Sequence, residues 1–266
     1  VVGRPRHGAV DEGFCKDDHI AGFGLGLGYI VRDAVVIANV FGQFQGEVAF
    51  VASGHAGEAA VALVLAARFA ITHGMSIPAA IWHGVFHSVS AFNNAGFSSF
   101  SDSVMSYQTD PVILGPIMLS VILTALGFPV MQDIRRHKLR WRQWSLHTKI
   151  TVSGTVALLL FGLVATAAME WDNPDTLGTM TTGAKMLNAA FHSVMPRTAG
   201  FNSLDVGSFH DETIMANYFL MFVGGGSAGT AGGIKVTTFL VLFAIVLSEV
   251  LGRRDAGLFQ RRFGRA

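Results

Sequence analysis

One piece of this sequence occurs twice, and it constrains the fold more than any other feature. Residues 86–100, FHSVSAFNNAGFSSF, return at 191–204 as FHSVMPRTAGFNSL. Phe86, His87, Ser88 and Val89 correspond to Phe191, His192, Ser193 and Val194, and Ala95, Gly96 and Phe97 to Ala199, Gly200 and Phe201. Each copy follows or closes a short apolar segment, 79–92 or 184–195, and each stands between two longer apolar stretches. The chain must therefore build the same supersecondary unit twice. The longer stretches at 48–72, 112–131 and 149–169 approach or reach the ~20 residues that a membrane-crossing helix needs. The repeated segments are too short to cross and read as half-helices that enter a bilayer and return. Two further apolar pieces, 213–223 and 234–250, flank GGGSAGTAGG and read together as one broken span. Irregular backbone at membrane depth is tolerated only where it is buried in protein or lines a wet cavity.

Composition agrees. Hydrophobic residues are 51% and charged residues 14%, against about 25% charged in soluble domains. That excludes an extended disordered chain and does not suit an ordinary soluble enzyme. The net charge of +1 gives no reason to expect nucleic acid. Cys15 alone makes neither an internal disulfide nor a cysteine zinc site. Residues 1–47 are the least informative. Their alternation Gly22, Gly24, Gly26, Gly28 lacks the strand and the Lys-Ser/Thr of a nucleotide loop.

Charge placement orients the layout. Arg135, Arg136, Lys138, Arg140, Arg142 and Lys149 crowd the linker, and Arg253, Arg254, Arg261, Arg262 and Arg265 the tail. Both segments are expected on the cytoplasmic side. The intervening loops carry Asp102, Asp110, Glu170, Asp172, Asp175, Asp205, Asp211 and Glu212, read mostly as solvated loop acids. Glu58 and Arg68 sit nearly three turns apart and are expected to pair with other segments.

The repeated piece is a half-helix leading into a short stretch without acidic side chains. Such a stretch can hold a cation through backbone carbonyls that replace its water, an arrangement that favours potassium. Glycine supplies the backbone angles this needs, which singles out Gly96 and Gly200. A glycine after a helix is also a common C-cap, and one copy alone would read so. His87 and His192 occupy equivalent positions and read as hydrogen-bonded half-helix residues rather than a metal pair. No residue set supports catalysis.

SVSAFNNAGFS, SVMPRTAGFN and GGGSAGTAGGIKVTTF together resemble the Trk/Ktr/HKT potassium transporter superfamily, in particular its KtrB/TrkH-like membrane subunits. The resemblance covers roughly residues 48–252. It implies an all-α integral membrane fold of span, pore helix, filter loop and span units, as in potassium channels, with one broken helix. Members carry four such units around one pore, and this chain resembles the second and third. The organisation is then a poorly matching segment 1–47, a second repeat 48–132, a basic cytoplasmic linker 133–148, a third repeat 149–251 and a basic tail 252–266.

The resemblance places the selectivity filter at Asn94, Ala95, Gly96 and Phe97 and at Thr198, Ala199, Gly200 and Phe201. Glycine at the key positions accompanies potassium selectivity, so serine at 96 or 200 should weaken the preference for potassium over sodium. It places a gate loop at Gly224, Gly225, Gly226, Ser227, Ala228, Gly229, Thr230, Ala231, Gly232 and Gly233, followed by Lys235. A run of such small residues suits a loosely held, mobile obstruction, and equally a tight packing surface. Arg197 and Asn93 are expected to brace the filter. Potassium is implied as the transported substrate, with no organic cofactor and no other metal. The implied setting is a multi-pass protein of the cell membrane that contacts lipid, dimerises and works with a cytoplasmic nucleotide-binding ring. Two alternatives stay open: a non-functional fragment of such a transporter, and another secondary transporter with broken helices.

Overall fold

The structure, a computed structural model, describes residues 55–138, 140–197 and 199–251, and the backbone of 256–258 and 261–263. The segment 1–47, residues 48–54 of the first span, the filter residue Thr198 and the side chains of the basic tail lie outside the described residues.

Among the described residues eight α-helices follow in order: α1 (55–71), α2 (Ile77–Phe92), α3 (Pro111–Leu126), α4 (Phe128–His137), α5 (Leu146–Glu170), α6 (Thr182–Val194), α7 (Asp211–Phe222) and α8 (Val236–Val250). Their starts are written locally. Asp110 accepts from the Val112 amide ahead of Pro111, Ser145 from the Thr148 amide and Thr181 from the Ala184 amide. The short α2 and α6 lie where the repeat predicts half-helices. Each sits inside a helix–half-helix–helix unit, so the fold is all-helical in its membrane part, with two repeated units. In the tail, β1 (Ala256–Leu258) and β2 (Arg261–Phe263) form a small antiparallel ladder that the helical reading did not foresee.

Among the described residues only α5, at 25 residues, is by itself long and apolar enough to cross a membrane. The stretch predicted as a span at 112–131 stops at Leu126. There Gly127 adopts φ 88° and the next helix leaves at 96°. A Cβ at Gly127 would lie 2.3 Å from the Ser227 carbonyl oxygen, so both the turn and the close approach require glycine. Helix α4 thus straddles the boundary at 132/133 where the basic linker was expected to begin. The two apolar pieces expected to form one broken span are the helices α7 and α8 with an irregular segment between them, while the sharply bent helix pair is α3 and α4.

The core of the first unit gathers Leu65 and Phe69 of α1, Ile113, Leu114 and Ile117 of α3, and Phe191 and Phe201 from the second unit. Helix α5 packs along α6 and also contacts α7 and α8. Ile71, Val164 and Val250 stand exposed on outer faces, an apolar surface suited to lipid or further protein.

Two loop acids are not solvated. Asp110 is buried and pairs with Arg68 at 2.8 Å and His73 at 3.1 Å, tying α1 to the start of α3. Glu170 is fully buried and accepts from Asn173, Thr176, Thr213 and the His210 amide, tying the end of α5 to the start of α7. Arg68 therefore pairs across segments as expected, whereas among the described residues the Glu58 carboxylate pairs with His55 of its own helix.

Asp133 braces the opposite end. It accepts from the Ser145 amide at 2.8 Å and pairs with His137 at 2.7 Å. Burial pushes its carboxyl up, but hydrogen bonds from Thr148, the Ser145 amide and His137 outweigh this and hold it at about 2. A carboxyl lowered on folding contributes stability above its unfolded value and loses it as pH falls through the folded one. Asp133→Asn should therefore cost about 1 kcal/mol at pH 6, after solvent screening. Thermal unfolding in detergent should show this deficit narrowing between about pH 4 and pH 2. A deficit unchanged across that range would mean that the carboxylate's charge contributes nothing.

Candidate functional site

Each half-helix hands its last carbonyls to the loop that follows. The amides of Asn94 and Ala95 donate to Ala91 and Ser90, and the Ser90 hydroxyl donates to the Phe97 carbonyl at 2.8 Å. After α6 a short 3-10 turn, Met195–Arg197, intervenes, and the amides of Ala199 and Gly200 both donate to Met195. The two loops share an unusual backbone hand, with φ 72° at Gly96 and 78° at Gly200. Asn94 also sits in the left-handed region, at φ 51°.

The structure brings the two loops together. A Cβ at Gly96 would lie 1.5 Å from the Ala199 carbonyl oxygen and 3.2 Å from the carbonyl carbon of Gly200. Just beyond, the Val104 amide donates to the Asn202 carbonyl, and the Asn202 amide to the Ser103 hydroxyl. Phe201 leaves its own unit and packs into the first, its ring stacked 6.2 Å from that of His87. Among the described residues the equivalent positions on the outer edges have no such neighbours. Phe97 is 70% exposed against 1% for Phe201, and a Cβ at Gly200 would meet nothing within 4 Å. A cavity of about 650 Å³ opens beside Gly200, bordered by His192, Arg197, Asn217 and Gly232.

The glycine-rich segment lies against the end of α3. A Cβ at Gly225 or Gly229 would come within 3 Å of the Ala125 carbonyl oxygen, and one at Gly226 within 2.3 Å of that of Leu126. The Gly226 amide donates to Ala125, the Gly224 amide to Ile234, and the Val236 amide to Gly225. Most of these glycines therefore serve close backbone contact, and the loop is pinned in this state. Gly232 is an exception with open space around it. Lys235 turns back to donate to the Ala231 carbonyl at 2.6 Å.

Two side chains join the loops after α2 and α6 to this segment. The Asn94 amide donates to Thr124 of α3 at 3.1 Å and, by a short hydrogen bond, to Thr230. The buried Arg197 guanidinium donates to the Gly224 carbonyl at 3.0 Å. Asn93, expected as a brace, is exposed and donates only to Val89 of its own helix. His87 bonds Ser98 and the His83 carbonyl, while His192 bonds Asn217, so the equivalent histidines have separate partners. Among the described residues no cluster of metal-ligating side chains occurs. Thr124 was missed in sequence, because a threonine inside an apolar run gives no sign of facing a loop a hundred residues away.

Comparison with known proteins adds a family to this geometry. Residues 55–266 match the family model TrkH, described as a cation transport protein. The chain is 40% identical over 204 residues to the Ktr system potassium uptake protein B of Bacillus subtilis, covering 77% of this chain and 45% of that protein. It is 42% identical over 185 residues to the protein of the same name from Vibrio alginolyticus, covering 68% and 40%. The solved potassium transporter TrkH of Vibrio parahaemolyticus shares the fold, with a TM-score of 0.58 at 20% identity over 77% of this chain and 42% of that one. The chain spans less than half the length of these relatives.

Proposed function

The chain belongs to the TrkH family of cation transport proteins, and on that premise we propose that it supplies the second and third quarters of a potassium-uptake pore. The observation that carries this reading is the interlock of the two loops with matching edges left open. Gly96 receives the Ala199 carbonyl, and Phe201 fills the first unit's core. Among the described residues Gly200 has open space where a Cβ would point, and Phe97 is largely exposed. By equivalence, a further unit on each side would place a loop against Gly200 and a half-helix against Phe97, closing a ring.

In such a ring, residues 94–97 and 198–201 line the narrowest part of the pore. Their carbonyls replace the water around a potassium ion, and the C-terminal ends of α2 and α6 add the negative ends of their dipoles. Transport is then passive permeation through a multi-pass protein of the cytoplasmic membrane. Residues 224–233 act as the gate, held in the described state by Asn94, Arg197 and the end of α3. The gate's glycines allow close packing in this state and cost little to rearrange once those contacts break. The resemblance further suggests a dimer and a cytoplasmic nucleotide-binding ring. ATP, ADP or NAD would bind that partner.

Rubidium uptake by the complete pore, in cells lacking other potassium uptake, tests the reading. Thr230→Val removes the acceptor for the Asn94 amide with little change of volume. A neutral hydrogen bond contributes about 0.5–1.5 kcal/mol, so the variant should raise uptake about two- to tenfold. Uptake that is unchanged, with the variant folded normally, would show that this contact does not hold a gate shut. Absence of rubidium uptake in the unaltered pore, with saturable uptake of an organic solute instead, would favour a different transporter class.

A further inference from the structure

The elbow between α3 and α5 carries a concentrated charge that the pore does not use. Helix α5 is about 37 Å long, enough to cross a bilayer, and it begins at Leu146, directly after the elbow. Helix α4 leaves α3 at 96°, so the elbow lies at one membrane face with α4 running across it. Arg135, Arg136, Lys138, Arg140 and Arg142 are all exposed there, within eight residues. Among the described residues none of the five is ion-paired.

The acid of this stretch does not neutralise them. Asp133 turns inward, one oxygen toward His137 and the other accepting from the Ser145 amide. The elbow's shape is fixed in the same way. The Trp144 indole donates to the Lys138 carbonyl at 2.8 Å, and its ring lies 5.1 Å from that of Trp141, which is 42% exposed. Val130, on the other side of α4, is buried in the protein.

We propose that this elbow is a binding site for the phosphate headgroups of anionic phospholipids in the cytoplasmic leaflet. Guanidinium groups donate paired hydrogen bonds to phosphate oxygens, and four of the five cations are arginines. Tryptophan suits the interfacial depth at which such headgroups lie. General positive-inside orientation needs cations only somewhere in the loop. Here they sit on a braced turn, uncompensated, beside an indole. The proposal requires α5 to cross a membrane but not the pore reading, so either can fail without the other.

The test uses the full chain, with Trp82 and Trp171 changed to Phe so that fluorescence reports only the elbow tryptophans. It is placed in phosphatidylcholine vesicles containing a minor fraction of brominated lipid. Brominated phosphatidylglycerol should quench several-fold more than brominated phosphatidylcholine at the same fraction, and the difference should fade as ionic strength rises. Arg135→Gln, Arg136→Gln and Arg140→Gln together should abolish most of this preference, since each juxtamembrane cation contributes roughly fivefold to binding. Equal quenching by both lipids overturns the proposal and leaves a protein as the occupant of this face. A preference that survives in the folded triple variant, or one abolished by millimolar inorganic phosphate, overturns it as well. The latter would mark a free-phosphate site.

Discussion

Serine at position 96 should cost the chain's own fold about twice what serine at position 200 does, and the latter should act mainly on the completed ring. The two glycines share nearly the same φ, 72° and 78°. Backbone strain in a non-glycine residue is therefore common to both substitutions, at about 1–3 kcal/mol. Their surroundings differ. At Gly96 the new Cβ would fall 1.5 Å from the Ala199 carbonyl oxygen, so the second loop must move. Overpacking of that kind adds about 1–3 kcal/mol or more. At Gly200 the space is open. Thermal unfolding in detergent should accordingly show Gly96→Ser destabilised by roughly 2–6 kcal/mol and Gly200→Ser by about half as much. In the complete transporter a further loop should stand against Gly200, and the deficits should converge. Rubidium uptake should then be lost in the first variant, and potassium-over-sodium preference weakened or lost in the second. Equal destabilisation in the chain by itself would contradict the interlock. A Gly200→Ser variant that costs nothing more in the complete pore would contradict the ring. The expectation from sequence, that both serines weaken the preference for potassium over sodium in an intact pore, concerns the completed ring. The structure separates the two glycines by what each one touches.

Much of this arrangement is legible in the sequence because it is repeated. The correspondence of FHSV and AGF placed α2, α6 and their loops, and the run GGGSAGTAGG marked the break between α7 and α8. What is not legible depends on partners far along the chain. The apolar run from Pro111 to Met131 carries no mark of its interruption except Gly127 and Pro129. Those residues become a 96° turn because Ser227 lies against the glycine. Asn93 and Asn94 are indistinguishable as letters. One caps its own helix in solvent, and the other is buried in the left-handed region and reaches Thr230. Composition made the glycine loop look loosely held. Its contacts with Thr124, Ala125 and Leu126 reverse that impression for the described state, since small residues allow close approach as readily as motion. Asp110 and Glu170 looked like solvated loop acids, because a carboxylate's partners on other helices cannot be read from its own neighbourhood.

Arg197→Gln should have the largest effect on gating. The guanidinium is buried between the loop after α6 and the start of the glycine-rich segment. It donates to the Gly224 carbonyl at 3.0 Å, and its Nε has no partner among the described residues. A hydrogen bond from a charged donor contributes about 1.5–3 kcal/mol, twice a neutral one. If it holds the gate shut, losing it should shift the loop toward the open state about ten- to a hundredfold. Glutamine keeps a donor but is too short to reach Gly224 from the same backbone position. A purely bracing role predicts something different, namely a lower unfolding temperature with uptake per folded molecule unchanged. Measuring both quantities on the same preparation therefore separates gate from brace. The combination with Thr230→Val adds a second discrimination, because contacts that hold one moving element act on one equilibrium. Uptake per folded transporter that rises in each single variant, and in the double variant approaches a common ceiling, would put both ties on a single gate. Uptake that falls in either single variant would make residues 224–233 part of the conducting frame instead of its barrier.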